Sequence, residues 1–387
     1  MLGPAVLITA LVAGASAACT KKQYPPDEVD KLAKDSLPKL KEWLAKNPQP
    51  GCTLETAIRR REWGDLTKAQ RKDYIDAVLC LQSKPPLTAH QAPGAKSRFD
   101  DYVVVHVQQT HRNHGSTFFL PWHRYYLWHY ENALRTECGY KGYQPYWNWG
   151  RYANDPENSV LFNGDEFSLS GNGIEMDHAA VILGPAFTGL NKIPIGTGGG
   201  CVTSGPFANM TVNLGPLAPQ LTDLKPNPQA DGLGYNPRCL RRDINRHSAA
   251  VTTSNYTYAL ITKNDNAHWF QSVMEGDFDK GEWGVHAGGH YTVSGDPAGD
   301  FYISPGDPAF WLHHAQIDRV WWIWQMQKLE SRLKEVSKTM TMSNMPPTRN
   351  GTLDDVNNLG VLAGDVLTRD LMSTMGGMDG KLCYIYE

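Results

Sequence analysis

The sequence predicts a mainly α-helical fold with long ordered loops and little β-strand. Apolar residues recur at helical spacing in several separate stretches. Gly (36) and Pro (25) are frequent among the 387 residues, which places long connections between those stretches. Residues 150–250 show little of the alternation that strands need.

Residues 27–47 carry Val29, Leu32, Leu40, Trp43 and Leu44 at helical spacing, with Pro38 expected to interrupt the helix. Thr67 to Leu81 reads as a better helix. Thr67 and Gln70 form a capping box, and Ile75, Val78 and Leu79 make the expected inward stripe. Residues 82–98 are rich in Pro, Ala and Gly and read as loop. His106 follows an apolar run on the next helix. A further helix starts at Pro121, a residue suited to a first turn, and continues through Tyr126, His129, Tyr130 and Leu134. Recurrent aromatic and branched residues argue against disorder in 150–250. Residues 264–275 form a helix capped by Asn264 or Asp265, with Phe270, Val273 and Met274 inward. Asp307 to Leu333 is a long helix, and 335–387 is mostly loop.

Histidines gather in two windows, 106–129 and 286–314. His286 and His290 are one helical turn apart, so their imidazoles share a face. His314 follows on a second apolar segment. In the first window, His106 and His123 lie on separate helices with His114 between them. His90, His178, His247 and His268, and also His111 and His129, are read as ordinary hydrogen-bonded residues. The other histidines point to metal. Few carboxylates lie beside them, so Mg and Ca fit poorly. No thiolate is near, which removes zinc-finger and blue-copper arrangements. The HExxH of a zinc hydrolase is missing, because Ala287, Gly288 and Gly289 separate His286 from His290. What remains is a set of neutral nitrogen ligands, which suits copper.

These windows resemble the copper A and copper B motifs of the tyrosinase and catechol oxidase family. The resemblance rests on HGSTFFLPWHR, on His286-x3-His290 and on DPAFWLHHAQIDR. RREWGDLTKAQRKDYIDAVLCLQ, PYWNW, GGGCVTSGPFAN, NPRCLRRDIN and the terminal Tyr384-x-Tyr386 are also similar to short fungal members. It implies a four-helix-bundle dicopper core. His106, His114 and His123 would hold one copper ion, and His286, His290 and His314 the other. His313 would take a supporting or gating role, and Phe310 would pack on the ligands. Arg124 and Asp318 would orient imidazoles.

The implied activity is oxidation of o-diphenols to o-quinones with O₂; an oxygen carrier of the haemocyanin kind is the alternative. Glu275 matches a carboxylate that assists monophenol hydroxylation in some members. Ala287, however, stands where those members often carry Asn. Arg112 stands where long fungal tyrosinases carry a Cys, so no thioether is expected. Asn148 replaces the usual Asp of PYWDW.

Residues 1–17 read as a secretory signal: Ala5 to Ala13 are apolar, and Ala15-Ser16-Ala17 is a cleavage pattern. Residues 18–387 are then one catalytic domain, with no C-terminal shielding domain expected. Sequons at Asn209, Asn255 and Asn350 fit an extracellular glycoprotein. Seven cysteines, with no CxxC pair, predict disulfides with one thiol left over. Cys201 and Cys239 bound one loop-rich segment and are the expected pair. A net charge of −3 argues against nucleic-acid or electrostatic membrane partners. Small phenols, O₂ and a monomeric or weakly oligomeric state are expected.

Overall fold

The computed structural model describes residues 24–183 and 192–387. The signal segment and Cys19 lie outside the described residues. Helix makes up 43% and strand 11%, as the sequence predicts.

Among the described residues, eight helices of nine residues or more organise the chain. They are α1 (Glu28–Lys46), α2 (Lys68–Ser83), α3 (Arg98–Asn113), α4 (Phe119–Cys138), α5 (Ser254–Lys263), α6 (Ala267–Glu275), α7 (Val285–Val293) and α8 (Ala309–Gln327). The centre is α8, buried from Ala309 to Met326. A helix buried on every face has to be wrapped on every face, and its polar side chains must find partners inside. It packs against α4 on one side and against α1, α5 and α7 on the others. Trp311 stacks on Tyr130 of α4 with centroids 3.5 Å apart. Trp324 stacks on Phe270 of α6 at 4.6 Å.

Several boundaries differ from expectation. Pro38 does not interrupt α1. Both Pro38 and Lys34, whose carbonyl loses its partner, face solvent, and water can serve that carbonyl. The Thr67–Gln70 capping box is present on α2, but Leu79 is 37% exposed. Tyr74, Ile75, Val78 and Leu81 form the inward stripe; Leu79 follows Val78 by about 100° of rotation and leaves it. The cap of α6 is Asn266, whose side chain accepts the Trp269 N–H at 3.0 Å. Asn264 instead ends α5. Val273 is exposed, while Gln271 takes the inward place beside Phe270 and Met274. The long final helix stops at Gln327, and a separate turn, Leu329–Arg332, follows.

Residues 335–387 are not only loop. Strands β1 (Ile58–Arg60), β2 (Met375–Gly377) and β3 (Leu382–Tyr386) form a sheet in the order β1-β3-β2. β1 runs parallel to β3 with Ile58 opposite Tyr384, and β2 runs antiparallel to β3. The strands leave Tyr384 and Tyr386 aimed into the bundle. Their hydroxyls donate to Asp318 of α8 at 2.7 and 2.5 Å. Three disulfides are present among the described residues: Cys52–Cys383, Cys80–Cys138 and the expected Cys201–Cys239. No described helix is long and apolar enough to cross a membrane.

Candidate metal centre

The four helices α3, α4, α7 and α8 bring the histidines together. α3 starts at a capping box, Ser97 with Asp100, and ends at Asn113. His106 lies within it and His114 is its C-cap residue. Gly115, at φ +56°, then reverses the chain into α4. His123 lies one turn into α4. α7 supplies His286 and His290. Its Gly288 and Gly289 let neighbours approach, since a Cβ on Gly289 would overlap the His313 ring. α8 supplies His313 and His314.

Two groups result. His106, His114 and His123 form one, and His286, His290, His313 and His314 the other, with candidate ligand atoms within 4.8 Å of one another in each. The groups are adjacent. The rings of His123 and His314 stack at 4.4 Å, and those of His114 and His286 lie 5.9 Å apart.

In the first group every Nδ1 is engaged by a backbone carbonyl. His106 meets Tyr302 O at 2.7 Å, His114 meets Thr110 O at 3.0 Å and His123 meets Phe119 O at 2.7 Å. A carbonyl only accepts, so each Nδ1 carries the proton and each Nε2 keeps its lone pair. The Nε2 atoms of His106 and His123 are buried without a partner. In the second group, His290 Nε2 lies 3.2 Å from both His286 Nε2 and His314 Nε2. Nitrogens bound at about 2.0–2.1 Å to one tetrahedral ion sit about 3.3 Å apart, so this spacing suits a shared ion. Burial drives His106 down to about 4 and His114, His123, His286, His290 and His314 well below the usual imidazole range. Neutral imidazoles with free lone pairs are what a metal requires. Among the described residues both groups consist of histidine alone, with no carboxylate and no thiolate, and this donor set fits copper.

Phe310 packs where expected, against His314 at 4.2 Å, His106 at 5.6 Å and His290 at 5.8 Å. His313 Nδ1 accepts the Trp149 indole N–H at 3.1 Å. Its ring lies 4.4 Å from His290, the supporting position expected of it. Among the described residues, Arg124 and Asp318 hydrogen-bond to no imidazole. They pair with each other at 2.6 Å beneath the bundle, where Asp318 also meets Arg60. The backbone carbonyls take the orienting task assigned to them. Asn148 faces Asp27 and Asp30 of the α1 terminus.

Sequence reasoning missed two rings. Phe119 packs against His286 at 4.7 Å and His123 at 5.2 Å. Phe301 lies 4.6 Å from His114. Phe119 was accessible from its position four residues before His123; Phe301 carries no such signal.

A cavity of about 1010 Å³ opens over the centre, with His114, His286, His290 and Ala287 in its wall. Glu275 is in that wall too, and it is not a free helix-end carboxylate. It accepts from Gly115 N–H at 2.7 Å, Gln271 Nε2 at 3.1 Å and Lys338 Nζ at 2.5 Å.

The common central domain of tyrosinase matches residues 96–327. The tyrosinase-like protein orsC of Emericella nidulans is 38% identical over 350 residues, spanning 87% of this chain and 92% of the relative. Tyrosinase P of Aspergillus terreus is 36% identical over 349 residues, spanning 88% and 94%. Among solved structures, a single-site mutant of polyphenol oxidase from Thermothelomyces thermophila is 44% identical with a TM-score of 0.87, covering 94% of this chain and 98% of its own. The two histidine groups thus answer to the dicopper centre of known relatives, and the chain belongs to the tyrosinase family.

Proposed function

We propose that the chain is a secreted polyphenol oxidase that converts o-diphenols to o-quinones with O₂. One observation carries the reading: two adjacent trios of neutral imidazoles, all buried but the half-buried His290, stand beside one cavity that His114, His286 and His290 line. His106, His114 and His123 hold one copper ion, and His286, His290 and His314 hold the other. When bound, the pair supplies two-electron exchange with dioxygen. The protein fixes the tautomers of His106, His114 and His123 through backbone carbonyls and packs Phe310 and Phe119 against the rings. The wall beside His286 is lined by Ala287, which leaves room for an aromatic ring.

Diphenol oxidation is favoured over monophenol hydroxylation. A carboxylate that is to hold a water against a phenol needs open acceptor positions. Of the roughly four donors that a carboxylate can accept, Glu275 already holds three, one of them an ammonium, which leaves Oε1 one position at most. Relatives include an N-acetyl-6-hydroxytryptophan oxidase, which argues for a hydroxylated aromatic substrate without fixing its substituents. Three disulfides and the N-terminal apolar run support secretion.

The test is oxygen consumption by copper-loaded protein with a catechol and with the matching monophenol. Fast uptake with the catechol and little or none with the monophenol is expected, at two copper ions per chain. His290→Ala should drop copper towards one ion and abolish turnover. Full copper content in that variant would sink the assignment.

A further inference from the structure

The geometry points to Asn350 as an N-glycosylated residue whose sugar chain narrows the entrance to the histidine cavity. The inference rests on the secretory reading given above. Asn350-Gly351-Thr352 is an acceptor sequon. Asn350 is exposed, and it lines the same cavity as His114, His286 and His290. Its side-chain amide makes no hydrogen bond among the described residues, so nothing holds it back from modification. The backbone beneath it is pinned. Asn350 bridges Thr339 in antiparallel fashion, and Gly351 N–H donates to Lys338 O at 2.9 Å. Gly351 lies so close to Thr117 that a Cβ there would overlap it. Lys338, on the same segment, reaches Glu275 across the wall. A sugar at Asn350 would therefore be anchored at a fixed point of the rim. The other sequons differ: Asn255 lies on α5 and Asn209 beside a separate shallow pocket, and neither lines the histidine cavity.

In the transfer, the Asn350 amide nitrogen bonds to the anomeric carbon of a lipid-diphosphate-linked oligosaccharide. The diphosphate leaves with the bonding pair, and the amide gives up one proton. The attached chain is hydrated and bulky. It should hinder large catechols and leave small ones unaffected.

The test uses full-length protein secreted from a eukaryotic host. Enzymatic deglycosylation in ¹⁸O water converts each occupied Asn to a heavy Asp, which peptide mapping reads directly. Rates are then compared for 4-methylcatechol and for a catechol tethered to a polymer. Label at Asn350 is expected. Asn350→Gln and Thr352→Ala should each raise kcat/KM for the tethered catechol at least fivefold, and Thr352→Ala, which lies outside the cavity wall, should leave 4-methylcatechol unchanged. Thr352→Ser preserves the sequon and should match the parent. Both positions are exposed, where substitutions usually cost little stability. An unlabelled Asn350, or a labelled one whose removal leaves the ratio of the two rates unchanged, overturns the inference. Should neither catechol be oxidised, the oxidase reading falls and the gate falls with it, while the label still reports the modification.

Discussion

Asp318 lies 3% exposed between two guanidinium groups, Arg124 at 2.6 Å and Arg60 at 3.5 Å, and accepts from Tyr384 and Tyr386. Burial alone would raise its carboxyl, but Arg124 and Arg60 outweigh it and hold the group below the usual carboxylate range. Asp318→Asn keeps the shape and removes the charge, leaving the buried Arg124 without its carboxylate and Arg60 with Glu131 alone. A loss of about 3–5 kcal/mol is expected in denaturant unfolding. Gly289 is a second point of stress. Gly289→Ala drives a methyl into His313, so overpacking of about 1–3 kcal/mol and a loss of at least tenfold in catechol oxidation are expected. The histidines give a pH prediction. Burial holds folded His106 at about 4, and burial together with Arg98 holds His129 at about 4. Both lie below the unfolded value, so the unfolded chain takes up protons first as pH falls. The stabilisation is full above about pH 6.5 and is lost below it, by about 2 kcal/mol per histidine between pH 7 and pH 5. Urea midpoints of copper-free protein across that range check the sign; a midpoint that rises on acidification would contradict it.

At the level of elements, helices were legible where the stripe was clean and the cap followed the usual pattern. Thr67 with Gln70 on α2 is such a case. The boxes Asp27 with Asp30 and Ser97 with Asp100 use Asp in the returning position, which a search for Glu or Gln passes over. The Ser97 box matters because it starts the helix that carries His106. Ser97 Oγ accepts the Asp100 N–H at 3.2 Å, and Asp100 returns to Ser97 N–H at 3.0 Å and Lys96 N–H at 2.8 Å. Ser97→Ala should cost about 1 kcal/mol of stability while copper content and kcat stay unchanged, since His106 sits two turns inside the helix. The strands were not legible. β1 and β2 are three residues each, too short to show alternation, and β1 pairs with a segment more than three hundred residues away.

Across the whole molecule, local relations could be read from the sequence and distant ones could not. His286 with His290, and Cys201 with Cys239, are close in the chain and were found. Cys52 with Cys383 is separated by 331 residues. Asp318 with Tyr386 is separated by 68, with no pattern linking a helix interior to a terminal strand. These two long-range ties act on one object. β3 is clamped at Cys383 by the disulfide and at Tyr384 and Tyr386 by Asp318, and between those points it closes the sheet against α8. A disulfide closing so long a loop stabilises by about 6 kcal/mol at most in the chain-entropy account. Removing it with Cys52→Ala and Cys383→Ala together avoids a stray thiol and should lower Tm by on the order of 5 °C or more. Because both ties hold the same strand, combining this change with Asp318→Asn should cost less than the two costs added, by about 0.5 kcal/mol or more. Strict additivity in that double cycle would mean that the disulfide and the tyrosine clamp restrain the terminal strand independently.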